Sequence, residues 1–185
     1  MSAGAWVIIA VIVIVIAAVL AFLVWPMVRR QRLRRRFGPE YDRTVQELED
    51  RKTAEQELAE RERRHAQLRL RELSDDEKRV YTTRWVEVQE RFIDDPAGAL
   101  TEADRLVTTI MAERGYPTEN YEQQLADLSV EHAEPLGHYR AAHEIATRRG
   151  AEVSTEDRRT AVVHYRELFK DLLGGADQGN KDVKS

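Results

Sequence analysis

Apolar positions fall into three regimes along the chain. Residues 5–25, AWVIIAVIVIVIAAVLAFLVW, are apolar without interruption. A helix rising about 1.5 Å per residue crosses a roughly 30 Å hydrocarbon core in about 20 residues. Valine and isoleucine are poor helix formers in water, but in lipid the backbone must hydrogen-bond to itself, so a lone segment is helical. Trp6 and Trp25 sit at the two ends, where indole rings favour the headgroup zone, and Pro26 follows. The pattern predicts an N-terminal transmembrane anchor over 1–28. A cleaved signal peptide is the rival reading, with Ala17, Ala18 and Ala21 as the small residues near a cut. Against it, no basic segment precedes the run, and the run exceeds the usual 7–15 or so apolar residues.

The second regime, 39–73, is polar on nearly every face. Phe37-Gly38-Pro39 breaks any continuous helix before it. Glu47/Arg51, Glu57/Arg61 and Glu60/Arg64 are acid-first pairs at i,i+4 spacing, the favourable helical orientation. The expectation is a charged helical stalk over 39–73. Tyr41, Val45, Leu48, Leu58, Leu68, Leu70 and Leu73 are its apolar positions. A heptad frame through Val45 and Leu48 next meets Lys52 and Glu55, which argues against a strong coiled coil but leaves self-association through 39–73 open.

The third regime, 74–173, repeats apolar residues at helical spacing between clear stops. Ser74-Asp75-Asp76-Glu77 is a capping box, and Tyr81, Trp85, Val88 and Phe92 follow on one face. Asp95-Pro96 opens a helix with Ala99, Leu100, Ala103, Leu106, Val107, Ile110 and Met111 inward, closed by Gly115 and Pro117. Thr118 is the expected cap of a short helix carrying Tyr121, Leu125 and Leu128. Pro135 opens the next, with Leu136, Tyr139, Ala142 and Ala146 inward and Gly150 as its stop. Ser154 and Asp157 cap the last, with Val162, Tyr165, Phe169 and Leu172 inward and Gly174-Gly175 at its end. No run alternates with period two. The predicted fold is all-α: an N-terminal transmembrane helix, a charged helical stalk and a small bundle of about five helices, with 174–185 as a disordered tail. His138-Tyr139-Arg140 and His164-Tyr165-Arg166 echo one another; two amphipathic helices with an inward tyrosine give much of this by chance, and an internal duplication is the alternative reading.

Charge adds a direction. Residues 1–28 carry no charged side chain, while 29–36 carry six arginines: Arg29, Arg30, Arg32, Arg34, Arg35 and Arg36. Basic residues flanking a span are retained in the cytoplasm. The expected topology is a single pass through the plasma membrane, N-terminus outside and the C-terminal domain cytoplasmic. The basic juxtamembrane segment, 29–38, is expected to touch anionic headgroups of the lipid bilayer, at about 1 kcal/mol per arginine near the surface. Of the chain's 29 basic side chains those six lie here, so the remainder carries 23 against all 33 acidic ones. That acidic field disfavours nucleic acid as a partner. A nucleic-acid tether through Arg29–Arg36 is the alternative reading of the run.

Little in the sequence carries chemistry. There is no cysteine, which excludes disulfides, thiolate metal sites and cysteine nucleophiles. His132, Glu134, His138 and His143 crowd together, and a His-based enzyme using His132, His138 or His143, with or without metal, is the alternative function. His138 and His143 are about 140° apart around a helix and do not share a face, and no HExxH occurs. Asp94-Asp95, Asp75-Asp76 and Glu156-Asp157 are explained by helix capping. No glycine-rich phosphate loop, nucleophile elbow or calcium loop is present. In Glu113-Arg114-Gly115-Tyr116-Pro117, Gly115 fits a left-handed helix stop; Tyr116 is either a packing plug at the helix end or an exposed partner contact. No cofactor is implied. The function these features support is a membrane-tethered cytoplasmic helical interaction module, without catalytic activity, for an unidentified protein partner.

The segments RFGPEYDRTV (36–45), RWVEVQERFIDDP (84–96), ERGYP (113–117), DLSVEH (127–132), HYRAAHEIA (138–146) and STEDRRTAVVHYRELFKDLL (154–173) together resemble an uncharacterised bacterial family of single-pass membrane or secreted proteins, met most often in actinobacteria. The resemblance spans nearly the whole chain after the apolar run. It implies a bacterial plasma membrane and no particular activity.

Overall fold

A computed structural model describes residues 24–25, 27–148 and 153–174, and no strand occurs among them. The predicted span falls outside the described residues except for Val24 and Trp25, and so does the predicted tail except for Gly174. Trp6 and Gly150 are likewise outside. Among the described residues, no helix is long and apolar enough to cross a membrane. The helices are α1 (described over 27–37), α2 (Pro39–Leu48), α3 (Arg51–His65), α4 (Asp75–Asp94), α5 (Pro96–Arg114), α6 (Tyr121–Leu128), α7 (Ala133–Thr147) and α8 (Thr155–Leu172). The chain divides into two compact units, one ending at Leu58 and the other beginning at Ala59.

In the first unit Gly38 takes φ +46°, a conformation that an L side chain resists, and Pro39 restarts the helix at its first position, where a missing N–H costs nothing. Leu33 and Phe37 of α1, Tyr41 and Thr44 of α2, and Ala54 and Leu58 of α3 are buried. The Tyr41 hydroxyl donates to Glu55 at 2.8 Å, tying α2 to α3. One uninterrupted helix over 39–73 is not what forms. Glu49 turns left-handed at φ 55°, and Asp50 caps a new helix by accepting from the Thr53 N–H at 2.8 Å. The break separates Glu47 from Arg51, and Glu47 instead accepts from Arg43 at 2.7 Å. After His65 the chain leaves the helix, and 69–73 run without regular structure.

The second unit contains the five predicted bundle helices. Ser74 and Ser154 form reciprocal capping boxes with Glu77 and Asp157, and Asp95 accepts from the Gly98 N–H. The short α6 is capped by Asn120, not Thr118: the Asn120 side chain accepts from the Gln123 N–H. Helix α7 starts two residues before Pro135, which is tolerated in a first turn whose N–H groups have no intrahelical acceptor. Helix α5 packs against α4, α7 and α8, and α7 against α6 and α8. The core comprises the inward faces predicted for these helices, with Phe92, Tyr121 and Ala146 at its margin. Trp85 of α4 stacks on Phe169 of α8, centroids 4.6 Å apart.

Candidate functional site

A buried polar cluster lies inside the second unit, where helix ends converge. Gly115 ends α5 at φ +94°, and a Cβ there would stand 2.5 Å from the Arg69 carbonyl oxygen. The close approach lets the chain ahead of α4 lie along the end of α5: the Arg71 N–H donates to the Arg114 carbonyl at 3.0 Å. The Arg71 guanidinium bridges Glu113 at 2.6 Å and Glu77 at 2.9 Å. Glu77 is thereby held at about 2, first by Arg71 and then by the Ser74 backbone and hydroxyl.

Tyr116 follows and points inward. It is 3% exposed, so it is not a surface contact; it fills the end of α5 as a packing plug. Its hydroxyl lies 3.1 Å from His132 Nε2 and 3.3 Å from a Glu131 carboxylate oxygen. Burial pushes its phenol well above the ordinary value, and the Glu131 charge adds to the effect while Arg114 opposes it. On its far side, His132 Nδ1 contacts the Asp171 carboxylate of α8. With the Nδ1 proton donated to Asp171, Nε2 accepts from Tyr116. Arg114 donates to the Leu172 carbonyl at 3.1 Å and approaches His132 Nε2 at 3.4 Å. His65, at the end of α3, brings Nε2 within 3.8 Å of Glu131. A carboxylate orienting an imidazole is how an acid–base pair is built. Here the imidazole is 6% exposed and its Nε2 faces Tyr116 and Arg114, so the arrangement joins the ends of α5, α7 and α8.

The other candidate histidines lie elsewhere. His143 stacks on Tyr121 with centroids 4.1 Å apart and holds Nδ1 3.5 Å from Asp104. Asp104 accepts from the Tyr165 hydroxyl at 2.6 Å, and Tyr139 donates to Gln124 at 2.9 Å. Burial, with the Asp104 charge next, pushes both the Tyr139 and Tyr165 phenols up. His138 meets His164 across the α7–α8 contact at 2.6 Å. His132, His138 and His143 thus point into three different neighbourhoods. Among the described residues no group of three or more His, Asp or Glu side chains is placed to hold a metal ion. Asp104 and Gln124 were not singled out from sequence, yet each sits at i,i+4 spacing from a core leucine (Leu100 and Leu128). A polar side chain on an apolar stripe was the signal that marked them.

The arginine run is helical and outward-facing. Arg29, Arg32, Arg34, Arg35 and Arg36 are exposed and Arg30 is half-buried. Arg34 pairs with Asp42 at 3.0 Å and lies over the Tyr41 ring. Trp25, Met27 and Val28, just before the run, are 74%, 72% and 58% exposed. Comparison with protein-family models, with curated proteins and with solved structures finds no match.

Proposed function

We propose that this chain is a membrane-tethered helical interaction module: an N-terminal anchor in the plasma membrane, an arginine collar on the cytoplasmic leaflet, and a cytoplasmic helical bundle that meets a protein partner without catalysing a reaction. The observation that carries it is the junction at residues 25–29. An uninterrupted apolar run ends at Trp25, and exposed arginines begin four residues later on a helix whose preceding side chains are exposed and apolar. Apolar side chains that face outward beside a cationic band match the two layers of a membrane interface, hydrocarbon and anionic headgroup. The buried His132 supports the non-catalytic part, because both of its ring nitrogens are engaged in contacts that join helices.

Alkaline carbonate extraction of membranes tests the tether. The full chain stays in the membrane pellet, and a chain lacking residues 5–25 moves to the supernatant. Release of the full chain by carbonate would remove the anchor from the proposal.

A further inference from the structure

The contact between His138 and His164 has an unusual geometry. Their Nδ1 atoms are 2.6 Å apart, their ring centroids 4.8 Å apart and their planes 28° from parallel. That centroid separation is close to the largest that the nitrogen distance permits, so the two Nδ1 atoms meet head-on and nearly in plane. Two ligands of one tetrahedral zinc ion would hold their nitrogens about 3.3 Å apart and converge at an angle, given bonds of about 2.0–2.1 Å. Head-on lone pairs instead fit a single shared proton, with one nitrogen donating and the other accepting.

We propose that His138 and His164 form a one-proton clasp between α7 and α8, which a second proton opens. With one proton between them, the rings bridge the helices. With both rings protonated to imidazolium, every ring nitrogen carries a proton, so two N–H groups face each other and two positive charges meet at contact distance, and the rings must separate. The next residues, Tyr139 and Tyr165, form an edge-on pair with centroids 5.9 Å apart in the core, so the clasp sits directly over the packed α7–α8 seam. A nearby carboxylate offsets part of the repulsion. On α8 the group acting on His164 is Glu167, which is itself paired with Lys170 at 3.1 Å. On α7 the charged position one turn from His138 is Glu134, which is exposed. Helix α5 packs against both helices and presents Asp104, which is engaged by Tyr165 and His143. Burial and the neighbouring His138 together hold the His164 imidazole below its ordinary value, consistent with this geometry.

The test is a histidine NMR titration of the full chain in detergent micelles, comparing wild type with His138→Ala and His164→Ala, with helicity as the control for folding. In wild type the pair takes up protons in two coupled steps. In His138→Ala, His164 titrates in one step at higher pH. The melting temperature of wild type falls relative to His138→Ala as pH drops below the ordinary histidine range. If His164→Ala does not fold, the substitution at the exposed His138 decides alone. Single, independent titrations unchanged by removing the other ring overturn the clasp. Zinc ions that raise the melting temperature of wild type, but of neither variant, also overturn it and make the pair a metal site.

Discussion

At the scale of single residues, Glu113-Arg114-Gly115-Tyr116 shows how four neighbours take four separate tasks. Glu113 accepts from Arg71, Arg114 binds the end of α8, Gly115 admits a passing backbone and Tyr116 closes the core. Gly115→Ala meets both a positive φ and a carbonyl oxygen at 2.5 Å, so it loses more than the roughly 1–2 kcal/mol of a left-handed alanine alone. Gly137→Ala, inside α7 with no atom within 4 Å of the added Cβ, gains about 0.4–1 kcal/mol. Urea denaturation midpoints at constant slope measure both. The buried phenols predict a pH limit. Tyr116, Tyr139 and Tyr165 are held above their ordinary value, so above about pH 10 the unfolded chain releases protons that the folded chain keeps. The contribution of these three phenols is therefore complete below about pH 10 and is lost as pH rises beyond it. Tyrosinate absorbance should show these three ionising only with unfolding; smooth ionisation in a folded chain contradicts their burial.

At the scale of elements, the boundaries follow local chemistry where a cap is present. Ser74→Ala removes the acceptor for the Glu77 N–H and the hydroxyl that Glu77 holds, and costs about 1 kcal/mol. The same cap makes α4 acid-sensitive. Glu77 is held below its ordinary value, so its contribution is full above the usual carboxylate range and lost as pH falls toward 2. In Ser74→Ala this part of the acid dependence should shrink, as read by melting temperature between pH 5 and pH 2. Helices α4, α5 and α8 were legible because caps and apolar stripes agree. The break between α2 and α3 was not, because a charged helix has no apolar stripe to interrupt; Asp50 three residues before Thr53 was the overlooked signal. The passage of Arg69–Leu73 beside α5 was also hidden, since close backbone approach depends on a glycine more than 40 residues away. The histidines were legible as polar edges of core helices, but the pairing of His138 with His164 came from folding α7 against α8. The matching His-Tyr-Arg tripeptides are brought face to face by that antiparallel contact.

At the scale of the whole molecule, residue types segregate along the chain: an apolar run, then arginines without acids, then an acidic remainder. If the proposed tether holds, the protein would search for partners in two dimensions, and its acidic domain would be repelled by the leaflet that the arginines are proposed to bind. Protease added to intact cells that express the chain with a C-terminal tag tests the proposed topology. The tagged helical domain is expected to survive until the membrane is permeabilised and then to be digested. Digestion in intact cells, with the membrane unbroken, would contradict it and place the bundle and its partners on the outer side.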